Sequence, residues 1–288
     1  MNARTLLARL SRLDRRAVFA AIAVVVVLPF LSPIDLRAKP SEETLAFDAA
    51  LERAIGTGKP LLVDVDFGPQ TMAEMEPMLL ALLDRVFAAK CKVVFVTFIT
   101  EASSPLRRYL EKMEAKHGLV YGEDYVFLGY ASAYAYTMYG MGTSIGAYFH
   151  ADDRGTKIAE LPLMRRVKSL KDVSAVVNIA ANSFPRFWVQ YGVAPFGFDL
   201  IVGATAVNAT DYYPYLQTGQ IKGLLAGGRA AAEYEGLLVD RGILPKAGDA
   251  TRGLGSQSLA LAVILAFIAI GNAAYFLGRR GGAKGAKP

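Results

Sequence analysis

LLVDVDF at residues 61–67, KVVFVTFI at 92–99 and DYVFLGY at 124–130 are three short, nearly continuous apolar runs. Between them lie MAEMEPMLLALLDRVFAAK (72–90) and PLRRYLEKMEAKH (105–117), whose apolar residues recur at helical spacing. Strand, helix, strand, helix, strand predicts a parallel sheet with right-handed crossovers. Apolar residues at successive positions fit strands covered on both faces. Pro77 and Pro105 fall in the first turns of the two helices, where a missing N–H costs least. Gly118 is placed to end the second helix.

Working outward, VSAVVNIA (173–180) and FDLIVGATAV (198–207) extend the sheet, joined by a helix over 183–191. The expectation is an α/β domain of about five parallel strands, Rossmann-like or flavodoxin-like, with helices on both faces. Upstream, Ser41 is positioned to cap a helix over SEETLAFDAALERAI, with Glu42 and Glu43 favourable in its first turn. Downstream, a closing helix is expected over 220–238. Gly219, Gly223 and Gly227 recur every four residues there, and on one helix face they would admit a close neighbour, internal or from a partner. The stretch 129–153 sets Tyr130, Tyr134, Tyr136, Tyr139, Tyr148 and Phe149 among Gly, Ala and Ser. It reads either as an aromatic contact surface, for a partner or the membrane, or as a helix packed into the core, with Gly140, Gly142 and Gly146 allowing close approach.

Both ends of the chain are apolar with basic outer flanks. Ala17–Leu31 follows five arginines; Ser258–Gly278 precedes Arg279, Arg280, Lys284 and Lys287. Basic flanks stay in the cytoplasm. The expected order is a cytoplasmic tail (1–16), a signal anchor (17–33), an extracytoplasmic domain (34–256), a second transmembrane helix (257–278) and a cytoplasmic tail (279–288). Leu28-Pro29-Phe30-Leu31-Ser32-Pro33 is a poor cleavage site, which favours an uncleaved anchor.

The formal charge of +6 belongs to these flanks. Each tail carries +4, so the part between them is −2, which gives no basis for nucleic-acid binding. Attraction to the lipid bilayer accounts for the flanks better. The single cysteine, Cys91, excludes an intrachain disulfide and opens an apolar strand as a buried thiol.

Ligands of open parallel sheets bind beyond the carboxyl ends of the strands. The residues expected there are Asp64, Asp66, Gln70, Thr97, Thr100, Tyr130, Asn178 and Asn208. Asp64 and Asp66 lie two apart, hence on one side of the strand, and a divalent metal shared by the pair is the cofactor this spacing allows. Asp-x-Asp at the end of a first strand, with Thr97 or Thr100 ending a second, resembles the haloacid dehalogenase-like phosphatases. The resemblance implies metal-assisted hydrolysis with Asp64, Asp66 and Thr97 as catalytic candidates. It covers these residues only. Phe67-Gly68-Pro69 replaces the family's small turn, and Asp152-Asp153 follows no apolar strand. The alternative is structural: one aspartate caps a helix and the other binds backbone amides. No Gly-x-Gly-x-x-Gly or Walker A sequence is present, and no apolar strand runs into a Gly-x-Ser-x-Gly elbow. His117 suits a helix C-terminus, and His150 a solvated loop.

These readings favour a membrane-anchored binding domain, a ligand sensor or an accessory or scaffold subunit partnered by a membrane protein or by its own copies. The alternative is a hydrolase built on Asp64 and Asp66.

Overall fold

The computed structural model describes residues 14–31 and 38–282. Most of the N-terminal tail, residues 32–37 and the end of the C-terminal tail lie outside that set. Two compact units are present: 37–251, and the terminal segments up to residue 36 and from residue 252.

The larger unit is built on six parallel strands: β1 (Leu61–Asp66), β2 (Val93–Thr97), β3 (Tyr125–Tyr130), β4 (Ala175–Ala180), β5 (Asp199–Ala204) and β6 (Gly223–Ala226). Their order is β3-β2-β1-β4-β5-β6. This is the Rossmann order rather than the flavodoxin-like one, and its direction reverses between β1 and β4. One face of the sheet meets regular helices. The Phe95 ring lies 6.4 Å from Phe87 of the helix Met72–Ala88. Gly203 of β5 faces Met78 of that helix, and Gly223 of β6 faces Phe47 of the helix Glu42–Gly56. The other face, carrying Leu62, Val94, Val96, Val126, Val176 and Val202, packs on Met138, Met141, Ile145, Met164 and Trp188. Its cover is less regular, with 3-10 turns at Ile158–Glu160, Leu163–Arg165 and Leu170–Asp172 between β3 and β4.

Local chemistry sets the helix ends. Ser41 Oγ accepts the Thr44 N–H at 3.3 Å and starts the helix Glu42–Gly56. Gly118, at φ +65°, ends the helix Thr100–His117 in the left-handed conformation that glycine adopts without penalty. That helix starts five residues before the position Pro105 suggests. Phe184–Trp188 is α-helical, as expected, but passes into a π turn at Val189–Val193.

The closing helix differs from expectation. Residues 223–226 are the sixth strand, and the helix runs Gly227–Asp240. Gly219 and Gly227 have φ of +72° and +76°, which no helix interior permits. The three glycines therefore line no common helix face. Gly219 turns the chain, Gly223 lets a strand lie on the Phe47 backbone, and Gly227 turns strand into helix. The four-residue spacing imitates a stripe because Leu224 and Leu225 are apolar in either reading.

Among the described residues one helix, Asp249–Phe276, is long and apolar enough to cross a bilayer. The N-terminal segment is helical from Arg15 to Leu31. Its 17 residues rise about 26 Å, a little less than the roughly 30 Å hydrocarbon core. Ser256 Oγ donates to the Val26 carbonyl at 2.8 Å, so the two terminal helices touch.

Candidate functional site

β1 and β4 pair in the register Asp64 to Asn178 and Asp66 to Ala180, which sets the two carboxylates at the point where strand order reverses. Alternation puts them on the less regular face with Leu62. Both are fully buried, as are Thr97 and Asn178.

The donors are closely assigned. Asp66 Oδ1 accepts the Phe98 N–H at 2.7 Å and the Thr97 hydroxyl at 3.2 Å. Its Oδ2 accepts Asn178 Nδ2 at 3.3 Å. Asp64 Oδ2 accepts Asn178 Nδ2 at 2.9 Å and the indole N–H of Trp188 at 2.7 Å. Asp64 Oδ1 and Asn178 Oδ1 are buried without a donor. Burial, then the neighbouring charge of Asp66, then a side-chain hydrogen bond with Asp66 hold the Asp64 carboxyl well above the usual carboxylate range. Burial raises Asp66 as well, against its hydrogen bonds with Asp64, Phe98, Thr97 and Asn178. A proton held between the two carboxyls would leave a single negative charge in the site.

The expected residues thus divide. Asp64, Asp66, Thr97 and Asn178 converge. Gln70 and Tyr130 are exposed, and Thr100 is exposed with its hydroxyl on Glu101 at 3.0 Å. Asn208 lies in the short helix Ala206–Ala209, its N–H accepted by Thr205 Oγ1 at 3.3 Å. Trp188 was not legible as a member. Nothing in its helix distinguishes it, except that it is the only tryptophan and an indole N–H buried at a strand end needs an acceptor. Of the structural alternative, one half is present: Asp66 binds a backbone amide, that of Phe98, while Asp64 binds two side chains.

The other strand ends are closed in the same way. Glu74 Oε1 accepts the N–H of Ala206 at 2.9 Å and of Gly228 at 3.1 Å, so the turns after β5 and β6 receive a carboxylate from the chain itself. A turn of this kind otherwise binds an anionic ligand. Asn182 Nδ2 donates to the Asp66 carbonyl at 3.0 Å, and the Tyr212 hydroxyl donates to the Asn182 carbonyl.

A divalent metal does not fit this arrangement. No group of three His, Cys, Asp or Glu able to hold one occurs among the described residues. The pair's neighbours are an amide NH2, an indole N–H, a hydroxyl and a backbone N–H, a donor set suited to a carboxylate and not to a cation.

Above the closed site lies an aromatic surface. The helix Tyr134–Met141 buries Thr137, Met138, Gly140 and Met141 and exposes Tyr134, Tyr136 and Tyr139. Tyr134 stacks on Phe187 at 4.5 Å, and Tyr139 lies 5.4 Å from Phe196. Gly140 and Gly142 let the rings of Tyr148 and Phe196 approach closer than any Cβ would allow; Gly146 has open space. The core reading of this segment therefore holds for one side of the helix, and the tyrosines of the other side are exposed. Comparison of the chain with protein families, with curated proteins and with solved structures returns no match.

Proposed function

We propose that this chain is an accessory or scaffold subunit of a membrane protein complex. Two terminal helices anchor it, both tails lie in the cytoplasm, and the α/β domain binds its partner outside. The closure of the strand ends carries this reading. Where a sheet of this topology ordinarily takes a ligand, Trp188, Asn178 and Glu74 occupy the space and the hydrogen bonds. Binding then falls to the surface, where Tyr130, Tyr136 and Tyr139 are 46%, 69% and 55% exposed. Exposed aromatic side chains in one patch mark contact sites.

Copurification of the tagged full chain in mild detergent, followed by mass spectrometry, tests the proposal. A stoichiometric membrane-protein partner, lost on Tyr136→Ala with Tyr139→Ala, is the expected result. A chain that purifies alone and hydrolyses phosphate esters, with activity abolished by Asp64→Asn, would replace this reading with the hydrolase. Protease added to intact spheroplasts should cut the domain; a protected domain would place it in the cytoplasm.

A further inference from the structure

At the opposite, amino-terminal edge of the sheet, a cleft of about 440 Å³ is lined by Lys59, Lys90, Lys92 and Arg166, with Ile55 and Pro60 among its apolar residues. The four cations come from three separate segments: the turn before β1, the turn before β2, and the crossover between β3 and β4. We propose that this cleft binds a phosphate-bearing anion. Three observations converge.

First, four cations face a single acid in the lining. None of the four cations pairs with a carboxylate among the described residues. Asp172, the one acid in the lining, turns its Oδ2 to the N–H groups of Lys168 and Ser169, at 2.8 and 2.9 Å. Second, two ammonium groups are anchored by backbone. Lys59 Nζ donates to the Lys171 carbonyl at 3.2 Å and Lys92 Nζ to the Glu123 carbonyl at 3.0 Å. Each retains further N–H donors. Third, the charge is segregated. The chain between the two tails is −2 overall, yet four of its cations line one cleft, and Arg166 belongs to the basic segment RRVKSLK at 165–171. Like charges gathered in a concavity raise its potential and concentrate anions there. A phosphate group, with several acceptor oxygens and up to two charges, meets ammonium and guanidinium donors together. The volume suits a small phosphorylated compound or a phospholipid headgroup.

The test is calorimetric titration of the full chain, purified in uncharged detergent, with pyrophosphate and separately with short-chain phosphatidylglycerol. Binding of pyrophosphate identifies a soluble phosphate compound as the source; binding of the lipid alone identifies the headgroup. Either supports the site. Lys90→Gln with Arg166→Gln should weaken binding about tenfold or more, since it removes two charge-assisted donors. Arg108→Gln with Arg186→Gln removes equal charge away from the cleft and should change it less than about twofold. Wild-type affinity should also fall steeply with added salt. The proposal is overturned if neither probe binds at low ionic strength, if both double variants behave alike, or if affinity does not respond to salt. The salt response needs no variant, so misfolding of a substituted chain leaves the question decidable.

Discussion

Asp64→Asn replaces a buried carboxyl with an amide of the same shape, and the hydrogen bonds around it fix what should follow. Asp64 accepts from Trp188 and Asn178 on one oxygen, and burial favours its protonated form, which would offer the other oxygen's O–H to Asp66. Asparagine does the same, with its Oδ1 accepting and its NH2 donating. Stability near pH 7 should therefore change by no more than about 1 kcal/mol, the scale of one exchanged neutral hydrogen bond. Asp66→Asn is the contrasting variant. Asp66 receives donors on both oxygens, from Phe98, Thr97 and Asn178. An amide there sets N–H against N–H and should cost about 1–3 kcal/mol. The pH dependence adds a sign. Both carboxyls hold their proton more tightly folded than unfolded. Stability is then fully present below the unfolded value of about 3.9 and declines as pH rises through the folded values, by up to about 1.4 kcal/mol per proton per pH unit. Asp64→Asn removes one of the two titrating groups and should flatten that decline. Urea denaturation of the full chain in mild detergent, followed by the fluorescence of the single Trp188, measures both quantities from pH 4 to pH 8. A loss above about 3 kcal/mol at pH 7, of the size seen when a buried ionic pair is broken, would refute the protonated assignment. So would an unchanged slope.

Trp188→Phe keeps an aromatic ring but withdraws the 2.7 Å donor from Asp64 and leaves part of the buried indole's space empty; a loss of about 2–4 kcal/mol is expected by circular dichroism, the hydrogen-bond part of it lessened when Asp64→Asn is added. Gly223→Ala sets a Cβ 2.6 Å from the Phe47 Cα, a backbone atom, and should lower stability by about 1–3 kcal/mol; a neutral result would mean that residues 223–226 are not the strand described. Glu235→Ala leaves the N–H groups of Gly248, Ala250 and Thr251 without their acceptor and should cost about 2–3 kcal/mol, read as earlier proteolysis near residue 248.

The sheet was legible because its central strands announce themselves. LLVDV and VVFVT admit no helical periodicity, and the lengths between them fit crossover helices. β6 was not, since GLLA is only four residues long and merges with a helical pattern beginning at Gly227. What separates the two is the positive φ at Gly227, a backbone property with no composition of its own. In the candidate site, period two placed Asp64 with Asp66 and the strand ends placed Thr97 and Asn178 nearby. The closure was hidden. It depends on Trp188 and Glu74, which reach the strand ends from helices more than a hundred residues apart in sequence. Only the three-dimensional path of those helices determines that they fill the crevice rather than line it.

A common device recurs on the helix Gly227–Asp240. Glu233 accepts the Ser41 N–H at 2.9 Å and the Thr44 hydroxyl at 2.9 Å, and so holds the start of the helix Glu42–Gly56. Two residues on, Glu235 accepts three backbone N–H groups and the Thr251 hydroxyl at the start of the helix that continues into the apolar C-terminal span. Each carboxylate meets the positive end of a helix, where charge-assisted bonds gain most from burial. Ser41 and the Gly248–Thr251 segment, near the two ends of the 37–251 unit, are both tied to this one helix. On the accessory-subunit proposal, such a tie would hold the two ends of the partner-binding unit together. If that proposal holds, Glu235→Ala should lower partner yield while the domain stays folded below its transition. Unchanged yield would assign the tie to stability alone.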